Sequence, residues 1–184
     1  MRLARCEAFR HRPGRLQAAS NLVQLGINCL LAIGGDGSLT GVHCFKMEWP
    51  ELLATLVSEG SLAPDKAAAN QNLAVVGMVG SIDNDMCGFS MTIGCDSALH
   101  RIVEAIDALA TTAASHGRTF VVEVMGRNCG YLALMASLAC SADFVLVPES
   151  PPDCEDWETM LCDSLVRRRQ KKPWSLIILA EGAT

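Results

Sequence analysis

The sequence has no segment that would carry it into or across a membrane. It contains no uninterrupted stretch of about 18 apolar residues, the length that a membrane-spanning helix needs, although half of its 184 residues are hydrophobic. The arginine-rich residues 1–15 also lack the apolar segment of a secretory signal. We therefore expect a soluble, cytoplasmic protein with no membrane partner. A chain of this length can bury a sizeable core, as one domain or a large part of one.

The sequence also lacks any CxxC pair, although it contains nine cysteines. Scattered cysteines argue against a zinc site or a disulfide framework, so we expect free, mostly buried thiols. The nine positions are Cys6, Cys29, Cys44, Cys87, Cys95, Cys129, Cys140, Cys154 and Cys162.

Basic residues are too few for a general nucleic-acid binder. The formal net charge is -5, whereas such proteins neutralise phosphates with a clustered basic surface, and we expect no nucleic-acid partner. One basic cluster is present, made of Arg167, Arg168, Arg169, Lys171 and Lys172. It could bind an anion, but we favour a solvated helix end, where cations interact well with the helix dipole.

Short apolar segments alternate with helical patterns along the chain, without an internal repeat or a low-complexity linker. The predicted strands are 29–33, 74–79, 119–124, 144–147 and 175–180. The predicted helices are 16–25, 49–59, 96–114, 131–139 and 156–169, with Asp96 as a possible N-cap and Pro50 near a helix start. This order indicates an α/β fold with a doubly wound, mainly parallel sheet and helices on both faces.

A glycine-rich segment, Gly34-Gly35-Asp36-Gly37-Ser38, follows the first predicted strand. Open α/β sheets bind ligands at the carboxyl ends of their parallel strands. The glycines would let N–H groups approach phosphate oxygens, while Asp36 could hold a divalent cation and Ser38 could donate a hydrogen bond. The Lys-Ser/Thr ending of a Walker A loop is absent. The segment is either a phosphate cradle with a metal ligand or a tight strand-to-helix turn.

Two acids follow the second predicted strand, in Ser81-Ile82-Asp83-Asn84-Asp85. In an extended loop, Asp83 and Asp85 would lie on one side, where one accepts a hydroxyl proton and the other stays near a metal. The alternative is an Asx-rich turn whose side chains satisfy its own backbone.

A third segment, Met125-Gly126-Arg127, follows the predicted strand 119–124. Arg127 could make a bidentate contact with a phosphate, and Arg118, just before that strand, is a further candidate cation. Either arginine alone could be an ordinary surface charge. Together, three loops with groups suited to a metal, a base and a phosphate predict metal-assisted phosphoryl transfer.

These three segments, in this order and spacing, resemble the catalytic half of the ATP-dependent 6-phosphofructokinase family. The resemblance covers essentially the whole chain, and the stretches SALHR at 97–101 and PESPP at 148–152 are similar to the animal-type enzymes. It implies transfer of a phosphoryl group from ATP to fructose 6-phosphate, the committed step of glycolysis, with Mg²⁺ as cofactor. The segments at 81–85 and 125–127 argue against an NAD or lipid kinase, which can share a GGDG loop.

The resemblance also implies roles for individual residues. Asp83 matches the general base that takes the proton from the 1-hydroxyl of the sugar, and Asp36 matches the magnesium ligand. The positions that match ATP contacts are Arg5, Cys6, Gly35, Asp36, Gly37 and Ser38. The positions that match fructose 6-phosphate contacts are Ser81, Ile82, Asp83, Met125, Gly126, Arg127 and Glu181. Arg118 matches an arginine that reaches the sugar phosphate across a subunit interface, so we expect a homo- or hetero-tetramer of phosphofructokinase subunits.

Several positions qualify this resemblance. Pyrophosphate-using relatives commonly carry an acidic residue at the position of Gly37, where it would repel and crowd the α-phosphate of ATP. Glycine at this position leaves room for ATP. Phe89 and Ser90 replace a usual Thr-Asp pair, and Gly117 replaces the usual glutamine before Arg118.

We expect residues 1–184 to form a partial catalytic domain. The first strand would lie upstream, and a C-terminal substrate-binding segment would lie downstream. The alternative function is therefore a catalytically inactive fragment that only associates with full-length phosphofructokinase subunits.

Overall fold

The computed structural model describes residues 6–152 and 156–183. The chain divides into two compact units, Met1–Val79 and Gly80–Thr184, and each has its own parallel sheet and its own core. The helices are α1 (Glu7–Arg10), α2 (Arg12–Gln24), α3 (Asp36–Ser58), α4 (Pro64–Ala69), α5 (Cys95–His116), α6 (Tyr131–Ala139) and α7 (Trp157–Arg169). The strands are β1 (Cys29–Gly34), β2 (Ala74–Val79), β3 (Thr119–Val124), β4 (Phe144–Leu146) and β5 (Ser175–Ala180).

The first unit packs α2 and α3 beside a two-stranded sheet. Strands β1 and β2 run parallel, with Cys29 opposite Ala74 and Gly34 opposite Val79. The Trp49 indole N–H donates to the backbone carbonyl of Asn70 at 2.8 Å, which fastens the end of α4 to α3. The buried core residues are Ala19, Val23, Phe45, Trp49, Leu52, Leu53, Leu56, Leu62 and Leu73.

Helix α3 is longer than the sequence pattern predicted. It begins at Asp36 instead of residue 49, so Pro50 lies inside the helix and not near its start. Glycines at 37 and 41 weaken the helical pattern of its first turns, because glycine is a poor helix former. Packing of Phe45 and Trp49 into the core stabilises the helix over this stretch, and such packing outweighs local propensity.

The second unit has a three-stranded parallel sheet in the order β3-β5-β4, with α5 and α6 packed on it. The central strand β5 is buried at every position except the partly exposed Leu179. Gly94 is the N-cap of α5, so Asp96 lies in the first turn, and its prediction as the cap is wrong. The buried core residues are Ile106, Val124, Ala133, Ala136, Leu176, Ile178 and Ala180.

The cysteine prediction is half right. The eight described cysteines are free, as expected, and Cys154 lies outside the described residues. Five of these eight are exposed, so the prediction of mostly buried thiols is wrong for them. One example is Cys29, which shares a face of β1 with Leu31 and Ile33, exposed by 60% and 53%. The described residues leave this face of β1 uncovered.

The basic cluster at the end of α7 is partly engaged in ion pairs. Arg168 and Lys172 contact the carboxylate of Asp143 at 3.0 and 3.3 Å, and the Leu176 N–H donates to it at 2.9 Å. Burial would raise the pKa of Asp143, but these partners outweigh burial and lower the pKa. The interpretation as a solvated helix end is therefore incomplete, because two of the five cations neutralise a nearly buried carboxylate.

Among the described residues, no helix combines the length and the apolar character that crossing a membrane requires.

Candidate active site

The glycine-rich segment forms the junction between β1 and α3. Gly34 ends the strand, Gly35 is the extended N-cap, and Asp36 is the first helical residue. The N–H groups of Ser38 and Leu39 both donate to the Gly35 carbonyl at 3.1 Å. The earlier N–H groups of a helix have no partner within it, so this first turn presents free donors and the positive end of the helix dipole. The exposed Asp36 carboxylate accepts a bond from the Thr40 hydroxyl at 3.3 Å.

Gly37 is not required by the protein's own packing. A Cβ atom added at Gly37 would meet no atom within 4 Å, whereas one added at Gly34 would crowd the Ser38 side chain at 2.6 Å. Alanine would favour the helix by about 1 kcal/mol over glycine. Gly37 differs from Gly41, which also meets no atom, in lying in the first turn of the helix, where it leaves room for the close approach of a ligand.

The donor set at Asp36 fits a magnesium ion that is held mainly by phosphates. Within residues 6–152 and 156–183, no group of three His, Cys, Asp or Glu side chains could hold a metal. Mg²⁺ is usually bound through one or two carboxylates together with substrate phosphates and water. One exposed carboxylate beside free N–H groups is therefore compatible with a magnesium nucleotide.

The loop with the two acids is attached to the start of α5. The Gly94 N–H donates to the Ser81 carbonyl at 3.0 Å, and the Asp83 N–H donates to the Ser81 hydroxyl at 3.2 Å. The Thr92 N–H donates to the Asn84 side-chain oxygen at 2.9 Å. The alternative of an Asx-rich turn is thus partly correct, because side-chain oxygens of this segment satisfy backbone N–H groups.

The carboxylates of Asp83 and Asp85 are incompletely satisfied. Each has one buried oxygen that accepts no hydrogen bond from the described residues. Burial raises the pKa of Asp83, the negative charges of Asp85 and Glu181 raise it further, and Arg127 opposes them. Buried polar atoms are normally paired, so these two oxygens are available to accept a hydrogen bond from a bound molecule. A carboxylate with a raised pKa is also a stronger base.

The ends of β3 and β5 bring the third segment beside this loop. The Glu181 N–H donates to the Val124 carbonyl at 2.9 Å, and the Gly182 N–H donates to the Gly126 carbonyl at 3.2 Å. Gly126 has a φ of 134°, a conformation that favours glycine. A Cβ atom at Gly182 would overlap the carbonyl of Arg127, so this close approach requires glycine. Arg127 and Glu181 both act on the pKa of Asp83, so the second unit gathers these predicted residues into one cluster.

Arg118 does not join this cluster within the same chain. It precedes β3, whereas Met125 and Arg127 follow that strand, and the Ser175 N–H donates to the Arg118 carbonyl at 3.2 Å. The six-residue strand separates the two ends by roughly 20 Å, at about 3.3 Å per residue. A role for Arg118 in a neighbouring subunit stays a prediction.

The remaining predicted positions are scattered. Arg5 lies outside the described residues, and the exposed Cys6 precedes α1. Ile82 and Met125 line an apolar groove of about 380 Å³ in the second unit. A larger cavity of about 700 Å³ between β4 and α7 is lined by none of the predicted site residues.

Two further residues contact the predicted segment at 81–85. The Cys129 thiol donates to the Asn84 carbonyl at 3.4 Å, and the Thr92 N–H donates to the Asn84 side-chain oxygen at 2.9 Å. Glu149 lies just beyond the segment at 125–127, where both of its carboxylate oxygens accept the Gly130 N–H, at 2.8 and 3.0 Å. An asparagine between two aspartates signals a turn, but no sequence pattern indicates the parts played by Cys129 and Glu149.

The chain is similar in sequence and fold to known proteins. The chain is 60% identical over 181 residues to the platelet type of ATP-dependent 6-phosphofructokinase from Rattus norvegicus, covering 98% of this chain and 23% of that protein. It is 58% identical to the muscle type from Equus caballus, with the same coverage. The structure of phosphofructokinase from Saccharomyces cerevisiae superposes with a TM-score of 0.81 at 50% identity, covering 98% of this chain and 24% of that one. The predicted α/β fold is confirmed.

The chain thus spans about a quarter of the length of the relatives it matches. The sequence model of the family described as Phosphofructokinase matches residues 1–184. With a match along this entire length, the chain belongs to the phosphofructokinase family.

Proposed function

We propose that this chain carries part of the catalytic machinery that transfers the γ-phosphoryl group of ATP to the 1-hydroxyl of fructose 6-phosphate. The observation that carries the proposal is the Asp83 carboxylate, which has a raised pKa and an unpartnered buried oxygen beside Arg127 and Glu181. The names of the relatives, ATP-dependent 6-phosphofructokinases, support the same reaction.

Asp83 is the general base in this proposal. Its carboxylate takes the proton of the attacking 1-hydroxyl as the new P–O bond forms and the bond from the γ-phosphorus to the bridging oxygen breaks, releasing ADP; general-base catalysis makes this step faster by roughly 10²- to 10⁴-fold. The raised pKa suits this task, because a carboxylate with a higher pKa binds the transferred proton more strongly. Ser81 and Asp83 are held through the start of α5, so the base is oriented before the substrate arrives.

The junction of β1 and α3 holds the phosphoryl donor. Free N–H groups of the first turn of α3 and the Ser38 hydroxyl bind phosphate oxygens, and open space at Gly37 admits ATP. Asp36 would hold Mg²⁺, which would supply positive charge to offset that of the phosphates. Cys6 and Arg5 add contacts to the nucleotide.

The junctions after β3 and β5 bind the sugar phosphate. Arg127 offers a planar guanidinium to phosphate, and Met125, Gly126 and Glu181 complete the pocket with Ser81 and Ile82. Arg118 serves a neighbouring subunit of a tetramer, as its place at the other end of β3 allows.

The test is a chimera in which this chain replaces the 181 matching residues of the rat platelet-type relative. Production of ADP and fructose 1,6-bisphosphate is measured with ATP, Mg²⁺ and fructose 6-phosphate. We expect turnover that Asp83→Ala removes, with the unmodified relative as positive control.

A chimera that assembles like the relative but has no turnover above its Asp83→Ala variant would contradict the proposal. It would favour the inactive fragment that only associates with full-length subunits. The purified 184-residue chain, assayed alone, shows whether it acts without the rest of such an enzyme.

A further inference from the structure

We propose that Asn84 is a positioning residue, which orients the carboxylates of Asp83 and Asp85 by linking their loop to Thr92 and to Cys129. The inference deepens the proposed function and depends on Asp83 as its base. It concerns three residues, Asn84, Thr92 and Cys129, to which the family resemblance gave no role.

The backbone of Asn84 makes a turn that few residues accept. Its φ is 58°, in the left-handed region, which asparagine adopts more readily than any β-branched or bulky residue. The turn lies between Asp83 and Asp85, each of which keeps one buried oxygen without a partner. Burying two such oxygens is unfavourable, so other contacts must hold the turn in place.

The side chain of Asn84 supplies the first contact. Its Oδ1 accepts the Thr92 N–H at 2.9 Å across eight residues, which closes the loop that contains the positive-φ Gly88. Thr92 is only 3% exposed, and its carbonyl accepts the N–H of Cys95, the first residue of α5. The amide of Asn84 therefore attaches the two acids to the rigid start of a long helix.

The carbonyl of Asn84 supplies the second contact. It accepts the Cys129 thiol at 3.4 Å, across a sequence separation of 45 residues. Cys129 lies two residues after Arg127, so this bond joins the loop of the base to the loop of the proposed phosphate ligand. Burial raises the pKa of the Cys129 thiol, so the thiol keeps the proton that it donates.

The kinetic test compares Asn84→Gly with Asn84→Asp in the chimera. Glycine keeps the left-handed turn but loses the acceptor for Thr92, whereas aspartate keeps both. For Asn84→Gly we expect kcat to fall by about 10- to 100-fold, the penalty of a displaced catalytic group, with KM values for ATP and fructose 6-phosphate within twofold. Ser90→Ala, exposed in the same loop, is the control and should leave both constants unchanged.

The second pair of variants tests the contact from Cys129. Serine at this position keeps a hydrogen-bond donor, and valine is an apolar, slightly larger side chain without a donor. We expect Cys129→Val to lower kcat severalfold and Cys129→Ser to restore most of it. An unchanged kcat in Asn84→Gly, or equal losses in Cys129→Ser and Cys129→Val, would overturn the proposal.

Hydrogen exchange in the 184-residue chain tests the anchoring without any turnover. We expect the Thr92 amide to exchange about fivefold faster or more in Asn84→Gly, as the loss of one hydrogen bond predicts, and to stay protected in Asn84→Asp. Equal protection in both variants would contradict the anchoring. A wild-type chimera without turnover would instead contradict the proposed function, so the two failures are distinguishable.

Discussion

At the scale of single residues, the charge balance around Asp83 decides whether it can act as a base. Burial and the neighbouring acids Asp85 and Glu181 raise its pKa, and Arg127 lowers it. Only the ionised carboxylate can accept a proton, so the reaction rate must fall as the pH drops through this raised pKa. The acidic limb of the rate profile should therefore lie above the ordinary range of an aspartate.

This balance predicts opposite effects for two neutral substitutions in the chimera. Glu181→Gln removes a negative charge and lowers the pKa of Asp83, so the acidic limb of kcat/KM should move to lower pH. Arg127→Gln removes the opposing cation and should move the limb to higher pH while raising KM for fructose 6-phosphate. Profiles measured from pH 5 to 9 check both shifts. The control is Glu158→Gln, an exposed position of α7, and an unshifted limb in Glu181→Gln would exclude this electrostatic account.

At the scale of elements, Gly37 in the first turn of α3 has two opposing effects: it lowers the stability of the helix and it leaves space for a ligand. Glycine at position 37 weakens the helix, and open space around it gives the fold no reason to keep it. The proposed function explains the glycine by the approach of a nucleotide phosphate.

The prediction at this scale is that Gly37→Ala improves stability and impairs function. We expect the free energy of unfolding to rise by up to about 1 kcal/mol, while KM for ATP in the chimera rises about tenfold or more because the methyl group occupies the phosphate approach. Gly41→Ala is the matched control, since it lies in the same helix and its Cβ would also meet no atom within 4 Å. Equal KM values in the two variants would show that Gly37 does not face the donor.

Elements whose signal is local could be predicted from the sequence. Strands β2, β3 and β5 are short, apolar and mostly bounded by loop residues, and their predicted limits agree with the structure. Helix α3 was predicted to begin 13 residues too late, since its early part depends on tertiary packing of Phe45. The acids and Arg127 could be predicted from their motifs, whereas the anchors Thr92 and Cys129 depend on contacts 8 and 45 residues away.

At the scale of the whole molecule, one face of the β1–β2 sheet leaves large apolar side chains exposed. Leu31, Ile33, Val76 and Met78 are exposed by 60%, 53%, 61% and 51%. Contiguous apolar surface of this kind marks an interaction surface or causes aggregation. The paired register places Leu31 directly opposite Val76, so these side chains form one patch.

We therefore expect the purified 184-residue chain to self-associate and to bind a hydrophobic dye. The double variant Leu31→Thr with Val76→Thr places β-branched, strand-compatible side chains at both positions and should increase the monomer fraction in size-exclusion chromatography with light scattering. Leu25→Thr with Val166→Thr, at exposed positions outside the sheet, is the control. An equal monomer fraction in both double variants would show that the sheet face does not drive association.

The most direct test of the account is the kinetics of Asp83→Ser in the chimera. Serine removes the carboxylate but keeps a small polar side chain, so substrate binding should be nearly unaffected. We predict that kcat falls by roughly 10²- to 10⁴-fold while KM for fructose 6-phosphate changes less than threefold. An unchanged kcat would remove Asp83 from the role of base and would contradict the central claim.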